Sequence, residues 1–304
     1  LLILALLATA AAPDIGVLHV SSFVIGVCSV VPQFFIPFAA QYSRPEEKNR
    51  NVGIILSGLL TGILASRVVS GAVGEWLGWR EMYYIATGMM LVCAVLVFRI
   101  LPDEKPNFTG SYAALMRSLF TLLKQYPLLR LHSVRAALAF GSFMGFWATL
   151  AFKMAQEPFH AGSDVVGMLG LCGIAGAVTA SFIGKYIARL GVYRFNCFGA
   201  LLQLAAWGLF AAGGDHYGPI IGGILLVDIG MQCIQLSNQA PLFELCPSAA
   251  NRINTIFMSC YFIGGSLGTL LSGTAWVLFG WSGVVGTGAL LTALSLIITL
   301  VAKR

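Results

Sequence analysis

Four ionisable side chains within the long apolar stretches of this chain stand out: His19, Arg67, Lys153 and Asp228. A charge in hydrocarbon costs several kcal/mol, so each must be paired, hydrated or neutralised. Asp228 is the one carboxylate well inside such a stretch. Two roles are open to it: a proton-coupling group whose raised pKa lets it load and unload, or a structural bond between helices. Arg67 could bind an anionic substrate group, counter an acid on another helix, or extend its head to the interface. Lys153 and His19 lie near the ends of their stretches, where an interfacial position competes with a role towards substrate. Two polar stripes accompany them. His19, Ser22, Gly26, Ser29 and Gln33 recur every three or four residues, and so do Asp228, Gln232, Gln235 and Gln239. A polar stripe facing lipid is costly, so each either lines a watery cavity or hydrogen-bonds to a neighbouring helix. Trp147 and Phe152 offer an apolar wall for a solute or filler against lipid, and Glu244 with Arg252 a gate latch or a plain interfacial pair.

Other chemistry is missing. There is no GxxxxGK[ST] loop for ATP, no HExxH, no GxSxG and no Ser/His/Asp grouping, so no catalytic residue is named and no enzyme is expected. The seven cysteines show no CxxC or CxxH spacing and read as small buried hydrophobes. Neither a metal nor a cofactor is expected. Any energy for work would come from an ion gradient or from the solute's own gradient.

The elements that must hold these residues are membrane helices. Hydrophobic residues make up 58% of the chain and charged ones 10%, against about 25% in a soluble domain. The apolar runs are continuous over ~20 residues, which suits helices and excludes a transmembrane barrel. Runs of spanning length lie at 17–40, 52–75, 82–101, 134–154, 165–183, 193–213, 217–239, 253–277 and 282–301. That predicts an all-α polytopic protein with nine full spans. Between the third and fourth, residues 102–133 form a polar connection in which Tyr112, Leu115, Leu119 and Leu122 recur at helical spacing opposite Arg117, Lys124 and Gln125. The pattern predicts an amphipathic surface helix. Basic residues crowd the loops of one side and Arg80 alone stands in those of the other, so the 41–51 loop, the 102–133 linker and the C-terminus are expected in the cytoplasm. The net charge of +6 belongs to these loops, and no nucleic acid is expected as a partner.

The chain also repeats itself. A shift of 202 residues lays Pro45, Asn49 and Arg50 on Pro247, Asn251 and Arg252, and Gly62 on Gly264. It also lays Ser70-Gly71 on Ser272-Gly273 and Gly78-Trp79 on Gly280-Trp281. One repeat of ~200 residues in an apolar chain is a duplicated half-protein. By this ruler residues 1–12 are the outer half of a helix. About two and a half helices would precede them, giving a parent of six plus six. The expected divisions are 1–101 (incomplete first half), 102–133 (linker) and 134–304 (complete second half).

This architecture resembles the major facilitator superfamily. Residues 184–194, with Gly184, Arg189, Gly191 and Arg194, resemble the family's G-x-x-x-D-R-x-G-R-R loop, Ala188 standing where the pattern has its acid. Residues 53–71 resemble the family's antiporter motif G-x8-G-x3-G-P-x2-G-G. Gly53, Gly62 and Gly71 keep register, while Ser66 and Ser70 replace glycines and Arg67 replaces the proline. Gly58 and Gly62 add a GxxxG for close helix approach. The resemblance implies two pseudo-symmetric six-helix halves whose cavity is lined, among others, by the helices at 17–40, 134–154 and 217–239. It thereby singles out His19, Ser22, Ser29, Gln33, Trp147, Gln232, Gln235 and Gln239 as lining and Asp228 as the proton-coupling candidate. The implied activity is efflux of a small organic solute against protons by alternating access. The implied setting is a monomer in a bacterial inner membrane, similar to sugar- and drug-efflux permeases but truncated at the start. A non-transporting remnant of such a protein is the competing expectation.

Overall fold

The computed structural model describes the backbone of residues 1–29, 35, 42–43, 47–101, 111–246 and 249–302. Among them every regular element is a helix: α1 (Leu2–Ala10), α2 (Ile15–Cys28), α3 (Lys48–Trp76), α4 (Trp79–Ile100), α5 (Tyr112–Gln125), α6 (Pro127–Ala155), α7 (Ser163–Leu169), α8 (Gly173–Gly213), α9 (Tyr217–Leu245) and α10 (Ala250–Val301). Six helices among the described residues are long and apolar enough to cross a membrane. The difference from nine spans has local causes. Helix α10, 52 residues long, joins the last two expected spans across a break at Gly280 (φ 60°, ψ −146°). Likewise α8 joins two across Gly191 (φ 81°, ψ 153°). We write α8a and α8b for 173–190 and 192–213, and α10a and α10b for 250–279 and 281–301. The described helix of the 17–40 span is α2 alone, and the 165–183 span is interrupted by a short 3₁₀ turn at Gly170–Cys172.

The glycines that break these helices explain the tight connections. A positive φ costs an L side chain roughly 1–2 kcal/mol but is free for glycine. Gly78, the repeat mate of Gly280, also has positive φ (115°) and is the N-cap of α4. The Gly-Trp pair noticed as a repeat is therefore the same turn used twice.

The chain divides into two compact units. The first holds residues 1–107 with 162–171. There α1 packs against α2 and α4. The Thr9 hydroxyl donates to Ser21 Oγ at 2.8 Å, and Arg80, stacked over the Trp79 ring, donates to the Ala12 carbonyl at 3.1 Å. Asp14 caps α2 by accepting from the Val17 amide at 2.9 Å. The short helix α7 lies along α3.

The second unit holds residues 108–161 and 172–304. Pro127 at the first turn starts α6 earlier than the expected residue 134, since that position needs no amide hydrogen. Helix α5 covers Tyr112–Gln125 as its spacing predicts, with Leu115, Leu119 and Leu122 turned inward and Arg117, Lys124 and Gln125 exposed. Trp207, Phe146, Phe210, Phe257 and Leu150 are fully buried. Helices α6 and α10a meet backbone to backbone: a Cβ built on Gly141 would stand 2.7 Å from the Gly264 carbonyl oxygen. On the other side, α8b and α9 meet in the same way at Gly199 and Gly230. Without a hydrophobic drive between helices in lipid, such close approach is the main source of packing energy.

Candidate functional site

The polar stripe of α9 occupies the middle and end of that helix. Asp228 is 8% exposed, with its Oδ2 sealed. Gln232 is half-buried and makes no described hydrogen bond. Gln235 and Gln239 are bound to α10a instead: the Tyr261 hydroxyl donates to Gln235 Oε1 at 3.0 Å, and Gln239 Nε2 donates to Asn254 Oδ1 at 2.9 Å. Of the two readings for these glutamines, helix–helix bonding is the one the geometry displays. Tyr261 stacks on Phe140 of α6 with ring centroids 3.8 Å apart. Trp147 lies two turns further along α6, half-buried, edge-on to Phe143 and Phe146.

Asn254, Tyr261 and Phe140 escaped sequence reasoning. No spacing in the sequence pairs them, because Asn254 and Tyr261 stand two turns apart on α10a while Gln235 and Gln239 stand one turn apart on α9. A second network also went unforeseen. His132 Nδ1 meets Asn238 Oδ1 at 2.7 Å, Asn238 donates to Asn196 Oδ1 at 2.6 Å, and Asn196 donates to Ser237 Oγ at 3.1 Å. All four are buried. The network joins α6, α8b and α9, and every bond satisfies a polar group that water cannot reach.

The stripe of α2 behaves differently. His19, Ser22, Gly26 and Ser29 are exposed within the first unit, while Ser21 is turned inward to Thr9. Ser29 donates to the Ile25 carbonyl of its own helix at 2.7 Å. Gln33 lies outside the described residues.

Arg67 lies half-buried on α3, its stem against Gly170 after α7, where a Cβ on the glycine would stand 2.8 Å from Arg67 Cδ. A Cβ on Gly71 would stand 2.5 Å from the Ser163 carbonyl oxygen. Glu75 completes the seam, accepting from the Ser163 amide at 2.9 Å and its hydroxyl at 3.3 Å. Among the described residues no atom lies within 4 Å of a Cβ at Gly58 or Gly62, the pair expected to allow close helix approach. The contact of α3 with α7 is confined to its last turns. Gly53 belongs to the same helix, towards its start.

The 184–194 motif is helical up to the break at Gly191 instead of forming an open loop; Gly184 and Arg189 lie in α8a and Arg194 is exposed in the first turn of α8b. Among the described residues Glu244 and Arg252 form no ion pair, and Glu244 is exposed. Lys153 does have a partner. Its Nζ donates to Asp215 Oδ1 at 2.6 Å and lies 6.0 Å from the Trp281 ring centroid. The hydrogen bond and charge of Lys153 hold the Asp215 carboxyl below its ordinary range. This cation ties the end of α6 to the turn before α9, which leaves it a structural task.

Comparison with known proteins agrees with this architecture. The family description Major Facilitator Superfamily matches residues 1–269. The chain is 33% identical over 293 residues to the uncharacterized transporter YgaY of Escherichia coli O157:H7, covering 96% of this chain and 74% of that one. It is 22% identical to a probable sugar efflux transporter of Mannheimia succiniciproducens, over 83% of this chain and 62% of the other. Among solved structures, a bacterial homologue of the human lysosomal transporter Spinster, in an inward-facing and unoccupied conformation, aligns with a TM-score of 0.69. That alignment has 15% identity and covers 99% of this chain and 78% of the other.

Proposed function

The chain belongs to the major facilitator superfamily, and from that premise we propose that this multi-pass membrane protein is a proton-coupled transporter exporting a small organic solute across a bacterial inner membrane. The observation that carries the coupling is Asp228. It is a nearly buried carboxylate in the middle of a membrane helix, in a stripe whose other members are neutral amides. A carboxyl at that depth can exchange a proton when the site opens to water. Gln232, half-buried and without a described bond, is the neighbouring group left to meet a solute. Trp147, with Phe140 and Phe143, supplies apolar surface from α6.

Alternating access gives the α3–α7 seam a task. The two helices come from opposite sides of the 102–133 linker, yet Glu75, Ser163 and the glycine contacts join them. Rocking of one repeat against the other parts this seam once per cycle. Export, as distinct from uptake, is supported by the printed role of the Mannheimia relative.

The test is reconstitution into proteoliposomes carrying an internal pH indicator, with a panel of sugars and amphipathic drugs. Solute-dependent proton flux is expected, and Asp228→Asn should abolish it while leaving insertion and uncoupled solute binding intact. Proton flux surviving in Asp228→Asn would remove the residue from the coupling.

A further inference from the structure

Helix α6 buries two cations on one face, and among the described residues only one of them has an anion. Arg135 and Lys153 are eighteen residues apart, which is five full turns, so they share a face about 27 Å apart along the axis. They are 4% and 6% exposed. The face is the one packed on α8b and α10b. There the Ser295 hydroxyl donates to the Arg135 carbonyl at 3.0 Å, and the Trp207 indole donates to Ser142 Oγ at 2.8 Å. Lys153 is neutralised by Asp215. Arg135 has no carboxylate within ion-pair distance among the described residues, and its Nε, sealed from solvent, donates to nothing.

An uncompensated guanidinium costs several kcal/mol in a medium of low dielectric constant, so an anion should lie within reach, and no described residue of the chain supplies one. Depth decides which. Helix α6 has 29 residues, about 43 Å, against a hydrocarbon layer of about 30 Å. Centred in the bilayer, it places Arg135 about 6 Å inside the boundary. The Cα–Cβ bond tilts towards the helix N-terminus, so the long side chain runs out towards the head groups. On α8b, whose Trp207 bonds this face of α6, Arg194 is exposed in the first turn. Deeper on that helix Phe198 and Leu201 are 53% and 56% exposed, as suits acyl chains.

We propose that Arg135, with Arg194 at the rim, binds the phosphate of an anionic phospholipid where α6, α8b and α10b meet. The site is separate from the α9 stripe and independent of which solute is carried. The shared chemistry is a phosphate oxyanion held by guanidinium groups.

Thermal unfolding of the purified protein tests this in nanodiscs of phosphatidylcholine alone or with phosphatidylglycerol, and in phosphatidylcholine with inorganic phosphate. Phosphatidylglycerol is expected to raise the melting temperature by several degrees, and inorganic phosphate not to. Arg135→Met should lose this response while melting in phosphatidylcholine no lower than the parent, because its charge is uncompensated there. Arg130→Gln, an exposed arginine on the same helix, should keep it. If Arg135→Met does not fold, native mass spectrometry of Arg194→Gln gives the reading, with about fivefold less retained phosphatidylglycerol expected. Equal melting in both lipids, a response surviving in Arg135→Met, or retention unchanged in Arg194→Gln overturns the proposal. An equal response to inorganic phosphate overturns the lipid as its source.

Discussion

Substituting Gly141 by alanine probes the tightest claim about packing, the backbone contact between α6 and α10a. The added Cβ would stand 2.7 Å from the Gly264 carbonyl oxygen and 3.5 Å from Gly268 Cα, whereas ordinary contacts of a Cβ begin at 3.4 Å. The helices must therefore part by about 0.7 Å at this point. A gap of that size forfeits a quarter to a half of the dispersion well at each facing atom pair. Summed along the seam and compared with measured overpacking, the loss is roughly 1–3 kcal/mol. Removing glycine from a helix interior gives back about 0.5–1 kcal/mol. Gly273→Ala on α10a isolates that gain, because nothing lies within 4 Å of its Cβ. Unfolding by increasing SDS in mixed micelles, followed by tryptophan fluorescence, should place Gly141→Ala about 1–3 kcal/mol below Gly273→Ala, a factor of roughly 5 to 150 in the equilibrium. Equal stability of the two variants would refute the claim that these backbones touch.

Two further outcomes are expected. The Asp215 carboxyl is held below its ordinary range by Lys153, so the pair contributes stability that is fully present above about pH 3.8 and is lost as pH falls through the lower folded value. Melting temperatures of the parent and of Asp215→Asn should therefore differ at neutral pH and converge in stronger acid; a difference that persists there would rule the pair out as its cause. Ser142→Ala leaves the buried Trp207 indole N–H without its acceptor and frees Thr292 from one partner. Interhelical bonds in membranes average about 0.6 kcal/mol and reach about 1.7, so a loss within that range, with a shift in tryptophan emission, is expected.

Much of the architecture was legible in the sequence because a bilayer leaves few options. Continuous apolar runs must be helices when every backbone polar group has to be satisfied internally. The repeat identified Gly78 and Gly280 as equivalent turns, and both adopt the positive φ that only glycine takes freely. The candidate site was legible only as a list. Periodicity placed Asp228, Gln232, Gln235 and Gln239 on one face of a helix. It could not say that Tyr261 and Asn254 hold two of the four, because those partners are contributed by another helix. The glycines show the same limit: Gly62 and its repeat mate Gly264 are identical in sequence position, yet Gly264 lies against Ala137 and Gly62 against nothing described.

What the sequence alone determined is therefore one-dimensional: membrane helices, the duplication with its glycine turns, and the residues that cannot face lipid. The tertiary structure decided which of those polar residues are already satisfied. Lys153 has Asp215, His132 has Asn238, two glutamines have α10a, and Arg135 Nε has no partner among the described residues. The physical reason is that the cost of a buried polar group depends on its partner, and partners distant in sequence meet only through packing.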